Sequence, residues 1–313
     1  MKDIKVKILR TLALTILDKN ILEKLLCYLS RHIFLRNLFH ISALPIAYTY
    51  ILDKPEIRIA KVGSYRFYVN IAEYSGVSLY FFGEHNEAFS AWLVSQLINQ
   101  GDICIDIGAN VGSYTFLMAS KTGSNGKVFA FEPQQNLYKL LLDSVKMNEA
   151  SSFISIDCRA MYSKSGERLK FYLSDNPSNS GTSSLINHGV FVREENHIVI
   201  ETVTLTDYFK ETRIEKCKLV KIDVERAELE VLQGMNDLLK EQQIDYIILE
   251  QLAGNESQEI LLSMTYKGWL IDEELRLLVD INKVENNTFA NYLFVSPKVI
   301  NDFQENYGNL VQS

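Results

Sequence analysis

The feature that most constrains this chain is a glycine-rich turn, Asp106-Ile107-Gly108-Ala109-Asn110-Val111-Gly112, set directly between an apolar run and a helical pattern. Residues 103–107 read as a buried strand, and helical spacing follows over 114–120. The alternation continues with a strand over 128–131, a helix over 135–147 and a strand over 153–156. After an inserted strand at 169–173 come strands at 198–205 and 219–222, a helix over 228–239 and a strand at 246–249. Strands that follow one another through helices must pair in parallel, so the pattern predicts a doubly wound α/β sheet. Strands near 277–279 and 292–295 are expected to close it with an antiparallel edge.

Upstream, residues 57–60, 65–69 and 77–82 alternate like short strands, with Gly63 marking a hairpin turn, and helical spacing covers 87–97. Residues 1–50 read as helical. Between 1 and 40 the chain carries eight basic and three acidic residues. Such a segment suits either a helical extension packed on the main domain or an amphipathic patch for an anionic membrane or a large partner. The polar run over 174–189, rich in Ser, Asn and Gly, reads as a lid between core strands or as a linker.

The net charge of -7 argues against a nucleic-acid binder, which needs a basic surplus. The four cysteines have no metal-ligand spacing, so neither a zinc site nor a disulfide framework is expected, and a cytoplasmic protein is the default reading. No apolar run near the N-terminus is long enough to span a bilayer. Contact with the inner face of the membrane is thus expected to be peripheral, through residues 1–50.

Gly108 and Gly112 let the turn bend sharply and approach a ligand at the carboxyl ends of the strands. A dinucleotide would need a third glycine for its pyrophosphate. It is absent, and Asp106 suits a cofactor bearing an ammonium and a sulfonium, which favours S-adenosylmethionine. Glu132 ends the next strand 24 residues after Gly108, where a carboxylate can accept both ribose hydroxyls. Asp157, ending the strand after that, either reaches the adenine amino group or is solvated.

In order along the chain, DIGANVGSYTF, FEPQQNLYKLLLDSVKMN, GTSSL, VTLTDYF and KIDVERAELEVLQG resemble the FkbM family of S-adenosylmethionine-dependent methyltransferases. The resemblance covers residues 82–251, with a weaker echo in NYLFV, and leaves residues 1–55 outside. It implies a Rossmann-like class I methyltransferase domain over 56–313, preceded by an N-terminal helical extension over 1–55. It further implies that Asp106, Gly108, Asn110 and Gly112 hold the methionyl end of the cofactor and that Glu132 holds the ribose. Members of the family are associated with methylating hydroxyl groups of natural products and of surface-glycan sugars. Where the family usually has Gly after KIDVE, this chain has Arg226, which would narrow the pocket or offer a cation to an acidic substrate.

Alternation over Lys221-Ile222-Asp223-Val224-Glu225 sends Asp223 and Glu225 to one side, near the expected methyl group. Methyl transfer to an alcohol needs a positioned oxygen and a base for its proton. Asp223, Glu225 and Glu250 are the candidates for these tasks. Glu87, Ser183 in the GTSSL motif, His188 in the polar run and Arg226 are the candidates for substrate contact. Converging carboxylates can bind a cation, but no dedicated pattern supports one, and no metal is expected. The sequence thus predicts an O-methyltransferase for a hydroxyl of a sugar or secondary metabolite. The alternative is a catalytically weak protein of the same fold acting as a membrane- or partner-binding module.

Overall fold

The computed structural model describes residues 11–12, 15–16, 20–32, 43–52, 54–176, 178–187, 189, 192–286 and 288–312. Among the described residues, the helices α1 (Asn20–Arg31) and α2 (Ala43–Ile51) precede a hairpin of β1 (Ile57–Val62) and β2 (Tyr65–Asn70). Gly63 turns this hairpin at φ 60°. In α1 the single acid, Glu23, faces inward and accepts hydrogen bonds from Arg58 at 2.8 Å and from the Tyr80 hydroxyl at 2.7 Å. The first bond fastens the helix to the hairpin, the second to the segment 78–82.

Residues 77–82, expected as a strand, are helical: a turn over Tyr74–Val77 runs into a π-helix over Ser78–Phe82 that Gly83 ends at φ 69°. Val77, Leu79 and Phe81 are buried, so the pattern of a strand is present without its backbone. The cause lies at Gly76, where a Cβ would sit 1.9 Å from the Asn70 carbonyl oxygen. Only glycine lets the chain fold back that closely on the end of β2.

The main sheet uses β3 (Ile103–Ile107), β4 (Lys127–Phe131), β5 (Ile154–Asp157), β9 (Cys217–Ile222), β10 (Ile244–Leu252), β11 (Lys267–Asp272), β12 (Leu277–Asp280) and β13 (Phe289–Val295). Its order is β12-β11-β13-β10-β9-β3-β4-β5. From β10 to β5 every neighbour is parallel, as the strand–helix alternation requires. β12 forms the antiparallel edge, whereas β13 is not at the edge but inserted antiparallel between β10 and β11. A smaller sheet of β6 (Ala160–Met161), β8 (Val192–Val203) and β7 (Arg168–Ser174), ordered β6-β8-β7, holds both the strand inserted at 169–173 and the one expected over 198–205, which begins at Val192 and ends at Val203, outside the main sheet.

Strand periodicity divides the apolar residues between two layers. Cys104, Val128, Ala130, Leu219, Ile248 and Leu293 point to one face, with α3 (Ala88–Leu97), α4 (Ser113–Thr122) and α5 (Gln135–Met147). Ile105, Ile107, Phe131, Val220, Ile222 and Ile247 point to the other, with α6 (Leu205–Thr212), α7 (Glu228–Gly234) and α8 (Asn236–Lys240). This two-sided burial explains why the strands read as continuous apolar runs. The single helix expected over 228–239 is broken at Met235, because Gly234 packs so near Tyr162 that a Cβ would lie 2.1 Å from its carbonyl oxygen. After β10 comes α9 (Glu256–Ser263), and α10 (Ile300–Tyr307) follows β13.

Candidate active site

Three segments meet at the carboxyl ends of the parallel strands. The turn after β3 holds Gly108 at φ 83°, Asn110 at φ 52° and Gly112 at φ 90°. The N–H groups of Gly108 and Ala109 donate to the Phe131 carbonyl at 3.0 and 2.9 Å, which clamps the turn to the end of β4. On the other side the Asp223 N–H donates to the Ile107 carbonyl at 3.0 Å. A Cβ on Gly108 would lie 1.8 Å from the Asp223 carbonyl oxygen.

Two cavities flank this turn. The larger, about 250 Å³, has Asn110, Glu132, Ser183, Asp223, Glu225 and Glu250 in its wall. The smaller, about 150 Å³, has Glu87, Asp106, Tyr114, Lys221 and His85, and the two share Asn86, Gly108, Asn110 and Asp223. Among the described residues, no group of three or more His, Cys, Asp or Glu is placed to hold a metal ion.

Glu132 is buried, and each of its oxygens is aimed by one backbone N–H: Asn110 donates to Oε2 and Gln134 to Oε1, both at 2.8 Å. Burial pushes its carboxyl up to about 7, against the pull of those two donors. Asp106 is also buried and lines the smaller cavity, where the Thr115 hydroxyl donates to Oδ2 at 2.6 Å. Its pKa is raised by burial. Gly112 lines neither cavity; a Cβ there would lie 2.4 Å from Leu141 Cδ1, so this glycine seats α4 against α5. Asp157 also lies outside both walls, with Oδ2 2.7 Å from Arg159 Nη2, and Arg159 bonds Glu211 as well.

The strand β9 ends in an ion pair between a buried lysine and a partly buried aspartate. Lys221 is 2% exposed, and its Nζ lies 2.7 Å from Asp223 Oδ2 and 4.6 Å from the centre of the Tyr114 ring. Burial works against its charge, but Asp223, Glu87, Asp106 and Glu250 outweigh it and raise the pKa. Burial likewise works against Asp223, yet Lys221 and a hydrogen bond with Glu250 hold it low. The charge on Asp223, with burial second, pushes Glu250 up to about 11, so the pair carries one proton. Burial, with Asp223 and Glu228 adding to it, pushes Glu225 up to about 7.

Of the substrate candidates, Glu87 lines the smaller cavity and accepts from the Tyr114 hydroxyl at 2.8 Å. Ser183 lines the larger one, its hydroxyl donating to the Ser180 carbonyl at 2.8 Å and accepting from the Ser174 N–H at 2.9 Å. The polar run around it is fastened: Glu73 Oε2 accepts from the Ser180 hydroxyl at 2.5 Å, and the Ser178 hydroxyl donates to the Thr49 carbonyl of α2. His188 lies outside the described residues. Arg226 is exposed, at φ 79°, and lines neither cavity.

Sequence reading passed over His85, which burial and then Lys221 push down to about 4. It also treated Lys221 as no more than a neighbour of the acids. A lysine inside an otherwise apolar strand was the available signal, since buried lysines are almost always paired.

A model of the methyltransferase FkbM domain matches residues 106–281, more than half of the chain. The chain belongs to the FkbM methyltransferase family. Hexuronic acid methyltransferase AglP of Haloferax volcanii is 27% identical over 168 residues, which cover 54% of this chain and 63% of that protein. Methyltransferase 1 of Beauveria bassiana is 25% identical over 149 residues, covering 42% of this chain and 58% of the relative. Methyltransferase sdnD of Sordaria araneosa is 28% identical over 156 residues, covering 42% and 60%. The chain thus spans about three fifths of the length of the curated relatives it matches. The FkbM segment begins at Asp106 and takes in Glu132, Ser183, Asp223, Glu225 and Glu250, while His85, Asn86 and Glu87 come from upstream of it.

Proposed function

We propose that this FkbM protein is an S-adenosylmethionine-dependent O-methyltransferase acting on a hydroxyl of a sugar or of a secondary metabolite. The observation that carries the reading is Glu132: a buried carboxyl at the end of β4, its oxygens oriented by the Asn110 and Gln134 N–H groups, beside a turn that a Cβ would close. Each oxygen keeps a lone pair for one hydroxyl of a ribose. The acids around the larger cavity and the missing third glycine favour a sulfonium cofactor over a dinucleotide. The resemblance to a protein named for hexuronic acid methylation supports a sugar acceptor.

S-adenosylmethionine supplies a methyl carbon made electrophilic by its sulfonium. Glu132 anchors the ribose. Glu225, with a carboxyl pushed up to about 7, takes the proton of the acceptor hydroxyl and passes it to water. Glu250 carries a proton that it shares with Asp223, while Lys221 keeps Asp223 charged and in place.

Calorimetry with S-adenosylmethionine, S-adenosylhomocysteine and NAD tests the cofactor, and tighter binding of NAD overturns the reading. Incubating the protein and methyl-labelled cofactor with glycan and small-molecule extracts tests the acceptor class.

Residues 1–55 are proposed as an extension that also touches an anionic membrane. In α1, Ile21, Leu25 and Tyr28 are exposed at helical spacing, while the only acid is turned inward. Flotation with phosphatidylserine vesicles is expected to recover the protein, and a double Ile21→Ser, Leu25→Ser variant to remain in the soluble fraction; equal recovery of the two refutes this contact.

A further inference from the structure

The segment running from Glu225 to Glu228 is a wall with a cavity on each side. Glu225 and Ala227 face the larger cavity, whereas Arg226 and Glu228 belong to a groove of about 600 Å³ that neither the proton transfer nor the ribose contact uses. The same division occurs on β10, where Glu250 lines the cavity and Gln251 lines the groove.

The groove has an apolar floor. Leu252 and Phe289 are direct cross-strand partners at the open end of the β10–β13 pair, 40% and 58% exposed. An exposed aromatic next to an exposed aliphatic side chain gives a flat surface that water covers poorly. Around it stand Arg226, Gln251, Asn255 and Glu256. Gln251 is 2% exposed, and among the described residues neither its amide nitrogen nor its amide oxygen has a hydrogen-bond partner. A buried amide with both ends unpaired is rare in a native protein and requires an explanation. A ligand in the groove supplies one when the Gln251 side chain turns outward and offers its amide to donors and acceptors.

An apolar face ringed by a guanidinium, a carboxylate and amides is the chemistry that recognises a pyranose. The C–H face of the ring covers the aromatic plane while vicinal hydroxyls bond the planar polar groups. Arg226 and the acids Glu228 and Glu256 leave no surplus of positive charge in the groove, which suits an uncharged sugar. We propose that this groove is a saccharide subsite that holds a neutral hexose unit of the acceptor, next to the unit that is methylated. The inference rests on the methyltransferase reading and names the acceptor as a glycan longer than one sugar.

Saturation-transfer NMR on the full chain with S-adenosylhomocysteine present, using maltotriose, mannotriose and galactotriose as probes, tests the subsite. At least one trisaccharide is expected to take up saturation on its ring protons, and Phe289→Ala to weaken its binding about tenfold. Phe289 is largely exposed, so this variant keeps its fold, and Arg226→Gln provides an independent reduction on the polar side. The subsite is refuted if no trisaccharide binds, if both variants bind as the parent does, or if S-adenosylhomocysteine displaces the sugar. Affinity for S-adenosylhomocysteine, measured on the same samples, separates the two levels. Its absence strikes the cofactor reading, whereas its presence without sugar binding strikes only the groove.

Discussion

The ammonium of Lys221 lies 2.7 Å from Asp223 Oδ2 in a site where the lysine is 2% exposed, so a buried cation pairs with one member of an acid cluster at the end of the sheet. Glu87, Asp106 and Glu250 all act on that lysine. Replacing it by methionine leaves the partly buried Asp223 carboxylate with Glu250 as its remaining partner. Breaking a buried pair from one side costs about 3–5 kcal/mol. Because Asp223 is partly exposed and keeps its bond with Glu250, Lys221→Met is expected to lose about 2–3 kcal/mol in urea at pH 8 and less at pH 5.5, where Asp223 can take up a proton. A loss below about 1 kcal/mol at pH 8 would show the pair to be energetically idle.

Two carboxyls that titrate near neutrality separate by what each controls. Glu132 and Glu225 are both pushed up to about 7, chiefly by burial. A carboxylate accepts from ribose hydroxyls better than a carboxylic acid, so affinity for S-adenosylhomocysteine is expected to rise from pH 6 to pH 8 and then level off. Glu132→Gln removes that dependence and weakens binding. At saturating cofactor the remaining rise of kcat through about pH 7 belongs to Glu225, and Glu225→Gln lowers kcat by about 10²–10⁴. Unchanged pH profiles in both variants would remove these residues from their roles.

Arg226 follows Glu225 in a left-handed backbone, at φ 79° and 54°. Each such residue other than glycine costs about 1–2 kcal/mol. Arg226→Gly relieves one of them and is expected to stabilise the protein by about 1 kcal/mol, the gain in the folded chain being partly offset by the greater freedom of glycine when unfolded. The melting temperature then rises by about 2 °C. A lower melting temperature would mean that the contacts of the arginine side chain exceed the strain of its backbone.

The parallel part of the sheet was legible because strands 103–107, 128–131 and 219–222 bury both faces and so spell continuous apolar runs. The place of β13 was not, since pairing between β10 and β11 is decided by packing across about forty residues of sequence rather than by local pattern. Residues 77–82 misled for a related reason: their buried side chains alternate, but the close approach at Gly76 makes the backbone helical. Glu132, Asp223, Glu225 and Glu250 could be gathered in advance because Glu132 and Asp223 directly follow β4 and β9, Glu225 lies three residues beyond β9, and Glu250 follows the last parallel pair of β10, all on the side where ligands collect. Asp157 ends a strand there too, but Arg159, two residues on, draws its carboxylate away.

The turn after β3 offers a comparison that separates steric fit from backbone strain. Gly108 and Gly63 both have positive φ, 83° and 60°, so alanine is strained at either position. Around Gly63 nothing lies within 4 Å of the place a methyl group would take, whereas at Gly108 the Asp223 carbonyl oxygen lies 1.8 Å from it. Gly63→Ala is expected to lower the melting temperature through strain of about 1–2 kcal/mol and to bind S-adenosylhomocysteine as the parent does. Gly108→Ala adds an overlap that must push the 223–226 segment away from the turn, at a further cost of about 1–3 kcal/mol. Because Asn110 aims Glu132 from that same turn, displacement reaches the proposed ribose anchor as well. Affinity is expected to fall at least tenfold, about 1.4 kcal/mol, in calorimetry on the folded variant. Equal affinity in the two alanine variants would mean that the contact between Gly108 and Asp223 does not shape the cofactor cavity.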